Sequence, residues 1–309
     1  MKVFFKYFRD YFEDSFSLKA HLLVAIFIGL CIYFNYEYDL YKNYFKVRNY
    51  QELKVLKLWS FFGFAFLVPL LIMSFFQKEK KTITNPYYLI FGLLALLFVS
   101  LDSSYYSLKY LKPLIPNDLA GFSFYQACLS NLNSLFTVMI PLFVIYYLTN
   151  HFKPELYGIK LNGANLKPYL ILVGIMLPIV FISAATQEDF TNYYPSYNFN
   201  RFEAAKLPQK AKIAIFELCY GFDFLSVELM FRGFMVVALS RFVGKNAILP
   251  MVACYAFLHF GKPMVETIGS VFGGFGLGIL AYKSRNIYGG IIVHLGVAWG
   301  MELSAFILR

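Results

Sequence analysis

The chain reads as an all-α, polytopic membrane helical bundle with eight or nine transmembrane helices, and three observations predict this. Of its 309 residues, 59% are hydrophobic and only 15% charged, whereas a soluble domain carries about 25% charged and 45–50% apolar residues. The mean hydropathy is +0.56. The apolar residues gather in runs on the scale of the roughly 20 residues that cross a bilayer as a helix, at 20–36, 58–76, 87–101, 122–148, 168–186, 211–240, 246–260, 264–282 and 287–308. Between them lie stretches dense in charge, Tyr and Phe, such as Glu37–Lys57 and Gln187–Lys210, the composition of a membrane border.

In chain order, Met1–Lys19 is charged and aromatic. It has no apolar core or small-residue cleavage site of a signal peptide, so the run at 20–36 is expected to stay as the first span. Runs 58–76, 122–148, 168–186 and 211–240 are long enough to cross. Runs 87–101 and 246–260 are short, and a tilted or re-entrant path suits them. Pro263 and Gly261 end the helix that carries His259. No linker, low-complexity tract or repeat divides the chain, which predicts one membrane domain over 1–309. The clusters Lys78–Lys81, Lys153 to Lys167, Arg241 with Lys245, and Lys283 with Arg285 share one side in a nine-helix count with Lys2, Lys6 and Arg9. The positive-inside rule would make that side cytoplasmic, but the opposing loops Lys42–Lys57 and Arg201–Lys212 are almost as basic.

The net charge is +10, but the basic residues are scattered between spans, where they meet lipid headgroups. Nucleic acid is therefore not an expected partner, since its footprint is a basic stripe or patch. Cys31, Cys128, Cys219 and Cys254 form no Cys-x-x-Cys pair and lie in or near apolar runs. They are expected to be small buried hydrophobes rather than a disulfide framework or zinc thiolates.

Against this apolar background the polar groups of the last third stand out. An ionisable side chain at the bilayer centre costs roughly 2.5–3.5 kcal/mol on insertion scales and is usually functional. Glu228 and Arg232 are four residues apart, which lets them pair on a helix with the glutamate on the N-terminal side. Alone, such a pair reads as a neutralised charge. His259 sits at a helix end, where a lone imidazole is more often a hydrogen-bonded structural group. Glu266 is one turn from Lys262, a spacing that defaults to a surface salt bridge but lies beside His259. Gly269 with Gly273 and Gly274 with Gly278 each have the Gly-x-x-x-Gly spacing that brings membrane helices close. A phosphate loop is not expected there, because no Lys-Ser/Thr follows. His294, Ala298 and Glu302 recur at intervals of four, on one face of the last helix. Two imidazoles with a carboxylate from a third helix make a zinc-compatible inventory.

Glu228-Leu-Met-Phe-Arg232-Gly233, Phe257-Leu-His259-Phe and Ile291-Ile-Val-His294, in this order, resemble the CPBP intramembrane proteases, relatives of the CAAX prenyl endopeptidases and of bacteriocin-processing and immunity proteins. The resemblance covers 210–305, the expected catalytic core. It implies a multi-pass protein of a bacterial cytoplasmic membrane that hydrolyses a peptide bond of a peptide or membrane-anchored protein. Water would be activated by a carboxylate with His259 and His294, either through a zinc on the two histidines or without metal. Arg232 would orient the glutamate or stabilise an oxyanion.

The family pattern is Glu-Glu-x-x-x-Arg, Phe-x-x-x-His and His-x-x-x-Asn/Asp, and this chain has Val227, Tyr255 and Ala298 at three of those positions. With Val227 in place of the first glutamate, the base is expected to be Glu228, turned inward, ahead of Asp223 from the preceding turn. Lys262, Glu266 and Glu302 are expected as alternative bases or supporting groups. A non-catalytic relative that binds a peptide or lipidated protein is the competing reading. A small transporter is the third.

Overall fold

The computed structural model describes residues 2–13, 16–45, 51–76, 85–116, 119–152, 155–160 and 165–308. The basic cluster at 78–81 and Lys153 lie outside the described residues. All regular structure within them is helical. The principal helices are α1 (Lys2–Glu13), α2 (Leu18–Glu37), α3 (Gln51–Phe76), α4 (Pro86–Ser103), α5 (Phe122–Leu148), α6 (Lys167–Thr186), α7 (Gln209–Glu228), α8 (Ile248–Leu258), α9 (Met264–Ser284) and α10 (Tyr288–Leu308). Helix α7 runs directly into a π-helical stretch, Leu229–Ala238.

Among the described residues, seven helices are long and apolar enough to cross a membrane: α2 to α6, α9 and α10. The protein is an integral, multi-pass membrane protein. The sequence predicts eight or nine spans, and the difference lies in the runs at 211–240 and 246–260. The first carries Lys212, Glu217, Asp223, Glu228 and Arg232 and changes helical register at Leu229. The second yields an 11-residue helix. At 1.5 Å per residue that is about half of a roughly 30 Å hydrocarbon core.

These two elements form the centre of the bundle. Every residue from Ile248 to Phe257 is buried, as is every residue of the π-helical stretch. Helix α8 packs against α2, α3 and α9, while α7 packs against the start of α5 and against α10. Helix α10 is held on its other side by α6. Apolar residues all round mark a helix surrounded by protein, and α8 is of that kind.

Within the charged, aromatic segment Met1–Lys19 of the sequence reading, Lys2–Glu13 forms helix α1. It is amphipathic: Phe4 and Tyr11 are buried and Phe8 half-buried, α1 packs on α9, and Lys6, Arg9, Asp10 and Glu13 sit on exposed or partly exposed positions.

The glycines of α9 divide in two. A Cβ added at Gly274 would meet Tyr255 Cδ1 at 3.0 Å, and one at Gly278 would meet Met251 Cε at 2.8 Å, so this pair admits α8. Gly269 and Gly273 have nothing within 4 Å, and the close approach expected at both pairs occurs at one. Gly278→Leu should therefore destabilise the detergent-purified protein by about 1–3 kcal/mol, the usual cost of overpacking. Gly273→Ala should be neutral or stabilising by up to about 1 kcal/mol, the helix-propensity gain. Thermal unfolding of the two variants checks this contrast.

Candidate active site

A half-open cavity of about 1150 Å³ lies where α4, α5, α7, α8 and α10 meet, covered by the segment 192–202. Phe216, Tyr220, Asp223 and Val227 of α7 line it. Their spacing of four, three and four places them on one helical face. His259 enters from the end of α8 and His294 from α10, with Lys262 beside them. The two histidines singled out from the sequence thus share one cavity.

Glu228 does not line this cavity. One residue beyond Val227, it is turned by about 100° toward α10 and is 0% exposed. A Cβ at Gly290 would overlap Glu228 Oε2, so glycine makes the room for the carboxylate. Glu228 Oε1 is 2.9 Å from Arg232 Nη1 and 3.1 Å from His294 Nδ1. Beside Arg232 the carboxylate acts as an acceptor, so His294 Nδ1–H donates. His294 Nε2 then accepts from the Tyr255 hydroxyl at 3.3 Å. Arg232, 1% exposed, lies with its guanidinium 4.2 Å from the centre of the Tyr255 ring, a cation–π contact. Glu228 and Arg232 therefore stand behind the cavity and hold His294 and Tyr255. The base expected at Glu228 and the oxyanion contact expected at Arg232 both need cavity access that these side chains lack.

Beyond Glu228 the helix takes π register, with i→i+5 bonds such as Leu239 N–H to Phe234 O at 3.0 Å. π-bulges recur at functional sites, and a second π-helical turn, Leu135–Met139, lies in α5.

His259 Nδ1–H donates to the Tyr255 carbonyl at 2.8 Å, which leaves the Nε2 lone pair free to act. Nε2 lies 3.8 Å from Glu266 Oε1, which also holds Lys262 Nζ at 2.7 Å. Tyr194 donates its hydroxyl to Glu266 Oε2 at 2.8 Å. Burial opposes the charge on Lys262, but the Glu266 carboxylate outweighs it and holds the ammonium above the ordinary lysine range. Glu302 accepts the Ser196 N–H with both oxygens, at 3.0 and 2.9 Å. Glu266 and Glu302 thus tie down the segment that roofs the cavity. Ala298 is fully buried among Val180, Ala184 and Phe224, so no polar group from that position reaches the site.

Two cavity-lining carboxylates remain. Asp223 is one turn before Val227 on the same face. Asp102, at the end of α4, escapes the sequence reading because an acidic residue closing an apolar run reads as a span border. Its Oδ1 accepts from Asn133 Nδ2 at 2.7 Å and Thr137 Oγ1 at 3.0 Å. Asn131, also on the wall, has an unpartnered Nδ2 among the described residues. The available signal was the polar cluster Ser130, Asn131, Asn133, Ser134 and Thr137 inside a run long enough to cross a membrane.

These residues do not make a zinc site in this arrangement. Both nitrogens of His294 are engaged, which leaves it no lone pair for a metal. Among the described residues, no group of three His, Cys, Asp or Glu side chains converges as ligands, whereas protein zinc sites use three or four.

The sealed Glu228–Arg232 pair makes a prediction. Arg232→Ala leaves a carboxylate buried without its cation and should destabilise by about 3–5 kcal/mol. Adding Glu228→Gln to Arg232→Met, which removes both charges and keeps an acceptor for His294, should recover most of that loss. Thermal unfolding in detergent of the single and double variants measures both.

Residues 213–300, which contain all three motifs and most of the cavity's α7, α8 and α10 walls, match the family model described as type II CAAX prenyl endopeptidase Rce1-like. No curated protein and no solved structure matches the chain. The matched region holds Glu228 with Arg232, His259 and His294 in the order that carries the resemblance, and over these residues the chain is similar to that peptidase family.

Proposed function

We propose that this protein is an intramembrane endopeptidase that hydrolyses a peptide bond of a membrane-delivered peptide or membrane-anchored protein inside the cavity under the segment 192–202. The observation that carries this reading is the presence of Asp223, His259 and His294 on the wall of one cavity, in a chain similar to a peptidase family. Burying the reacting groups away from bulk water strengthens every charge–dipole interaction among them.

Asp223 is the base. It faces the cavity where Val227 denies a carboxylate to the next turn, and it takes a proton from water as the oxygen attacks the scissile carbonyl. His259 Nε2, with its lone pair free, accepts the remaining hydrogen bond of that water and fixes its direction. The Lys262 ammonium lines the same cavity and supplies positive charge to the developing oxyanion. As the C–N bond breaks, Asp223 returns its proton to the leaving nitrogen. Glu228 acts at a distance by fixing the ring of His294. The unpartnered Asn131 amide offers a donor to a substrate carbonyl.

Non-catalytic binding of a peptide is the second reading, and Val227 and Ala298 favour it, since both stand where the family has polar groups. A cleavage assay separates the two. With the full chain in proteoliposomes and a randomised peptide library read by mass spectrometry, Asp223→Asn should lower the rate about 100-fold or more, the usual size of a general-base contribution. Glu228→Gln should cost about tenfold or less, through His294 alone. The opposite order would return the base to Glu228, and a wild-type chain that cleaves nothing would support the binding reading.

The metal-free route is tested separately. After dialysis the purified protein should retain far less than about one equivalent of zinc. Near-stoichiometric zinc that disappears in His259→Ala would put the metal route in its place.

A further inference from the structure

We propose that Asp102 is a second catalytic carboxylate, which shares with His259 the task of holding the water that Asp223 deprotonates. The proposal rests on the hydrolase reading and adds a residue from the N-terminal half of the chain, outside the region 213–300 that matches the family. Asp102 and Asp223 line the same cavity from different helices and lie within electrostatic reach of each other.

Asp102 has a built setting. Asn133 and Thr137, 1% and 5% exposed, both donate to its Oδ1. Asn133 also donates to the Asp102 carbonyl at 3.1 Å, and its own Oδ1 accepts from Ser107. Two nearly inaccessible polar side chains are thus committed to one carboxylate oxygen, which fixes the side chain and leaves Oδ2 for the cavity. Such fixing is what a reacting group requires and an incidental acid does not. The Ser134 hydroxyl, also 1% exposed, lies beside Asp223 at the edge of the same carboxylate pair.

In the hydrolytic step, one hydrogen of the water goes to Asp223 as the O–H bond breaks and the oxygen bonds to the carbonyl carbon. Asp102 Oδ2 and His259 Nε2 share the other hydrogen as a hydrogen bond, which turns the oxygen lone pair toward the substrate. When the C–N bond breaks, the proton on Asp223 passes to the amine, and the product acid keeps the water's oxygen. No further reactant is needed. The dyad also accounts for Val227: a carboxylate supplied across the cavity from α4 removes the need for one at that position.

The test is Asp102→Asn in the full chain, assayed in proteoliposomes with the same randomised peptide library. The amide oxygen of asparagine still accepts from Asn133 and Thr137, so the melting temperature should be unchanged while cleavage falls about 100-fold. Because the two acids act on one water, Asp102→Asn with Asp223→Asn should be no slower than Asp223→Asn alone, within about threefold. A purely structural Asp102 predicts near wild-type rates for Asp102→Asn, or losses that multiply in the double variant, and either result overturns the proposal. Should Asp102→Asn fold poorly, Thr137→Val releases Oδ1 without changing charge. It should slow cleavage by roughly three- to tenfold, and a wild-type rate there also overturns the proposal. A wild-type chain that cleaves no peptide overturns the hydrolase reading and this role together, whereas full cleavage by Asp102→Asn removes this role alone.

Discussion

The sealed charge pair of Glu228 and Arg232 is the constraint around which the C-terminal half is arranged. Neither group reaches solvent, and an uncompensated charge at this depth would cost several kcal/mol. Each neighbour is therefore shaped to serve the pair. Gly290, with no Cβ, leaves room for Oε2, His294 donates Nδ1–H to Oε1, and Tyr255 lies under the guanidinium. The Glu228 carboxylate and the Tyr255 hydroxyl, one on each ring nitrogen, fix the tautomer and orientation of His294. Structural and functional readings of the motif, alternatives in the sequence, become one arrangement: the ion pair neutralises its own charge and thereby aims an imidazole.

That arrangement explains why consecutive residues have opposite fates. On α7, Val227 faces the cavity and Glu228 faces α10, because a step of one residue turns a helix by about 100°. The face that meets the cavity bears its acid one turn earlier, at Asp223. Here the roof is tied through Tyr194 to Glu266 and through Ser196 to Glu302. The floor carries His259 with its Nδ1 committed to Tyr255. The opposite wall brings Asp102.

Much of this was legible in the chain. Apolar runs locate spans because lipid demands them, and the run at 168–186 became Lys167–Thr186 and that at 287–308 became Tyr288–Leu308. The breaks at Gly261 and Pro263 correctly ended α8, whose C-cap is His259. Other features were hidden for physical reasons. A composition count cannot distinguish a helix buried by protein from one buried by lipid, so α8 and the π-helical stretch counted as spans. The spacing of Glu302 from His294 gives a shared face but says nothing of which loop will cross that face, and Ser196 does. Gly269 and Gly273 have the same spacing as Gly274 and Gly278, yet only the second pair meets α8. Asp102 was beyond reach altogether, since its significance lies in Asn133 and Thr137, distant in sequence, meeting it across two helices.

The two π-helical stretches extend the same logic to the backbone. One begins directly after Glu228 and the other contains Thr137. A π turn inserts an extra residue per turn and rotates the downstream part of the helix relative to the upstream part. In α7 it separates the cavity-facing run that ends at Val227 from the buried run that begins at Leu229. In α5 it sets the register in which Asn133 and Thr137 both face Asp102, with Thr137 also donating back to the Asn133 carbonyl at 3.0 Å. Wide turns are intrinsically poorer than α turns, and single ones persist mostly where function uses the rotation. Here one follows Glu228, which holds His294, and the other contains Thr137, which donates to Asp102. The departures from ideal helix and the candidate chemistry coincide, which is how strain retained for positioning is distributed in a fold.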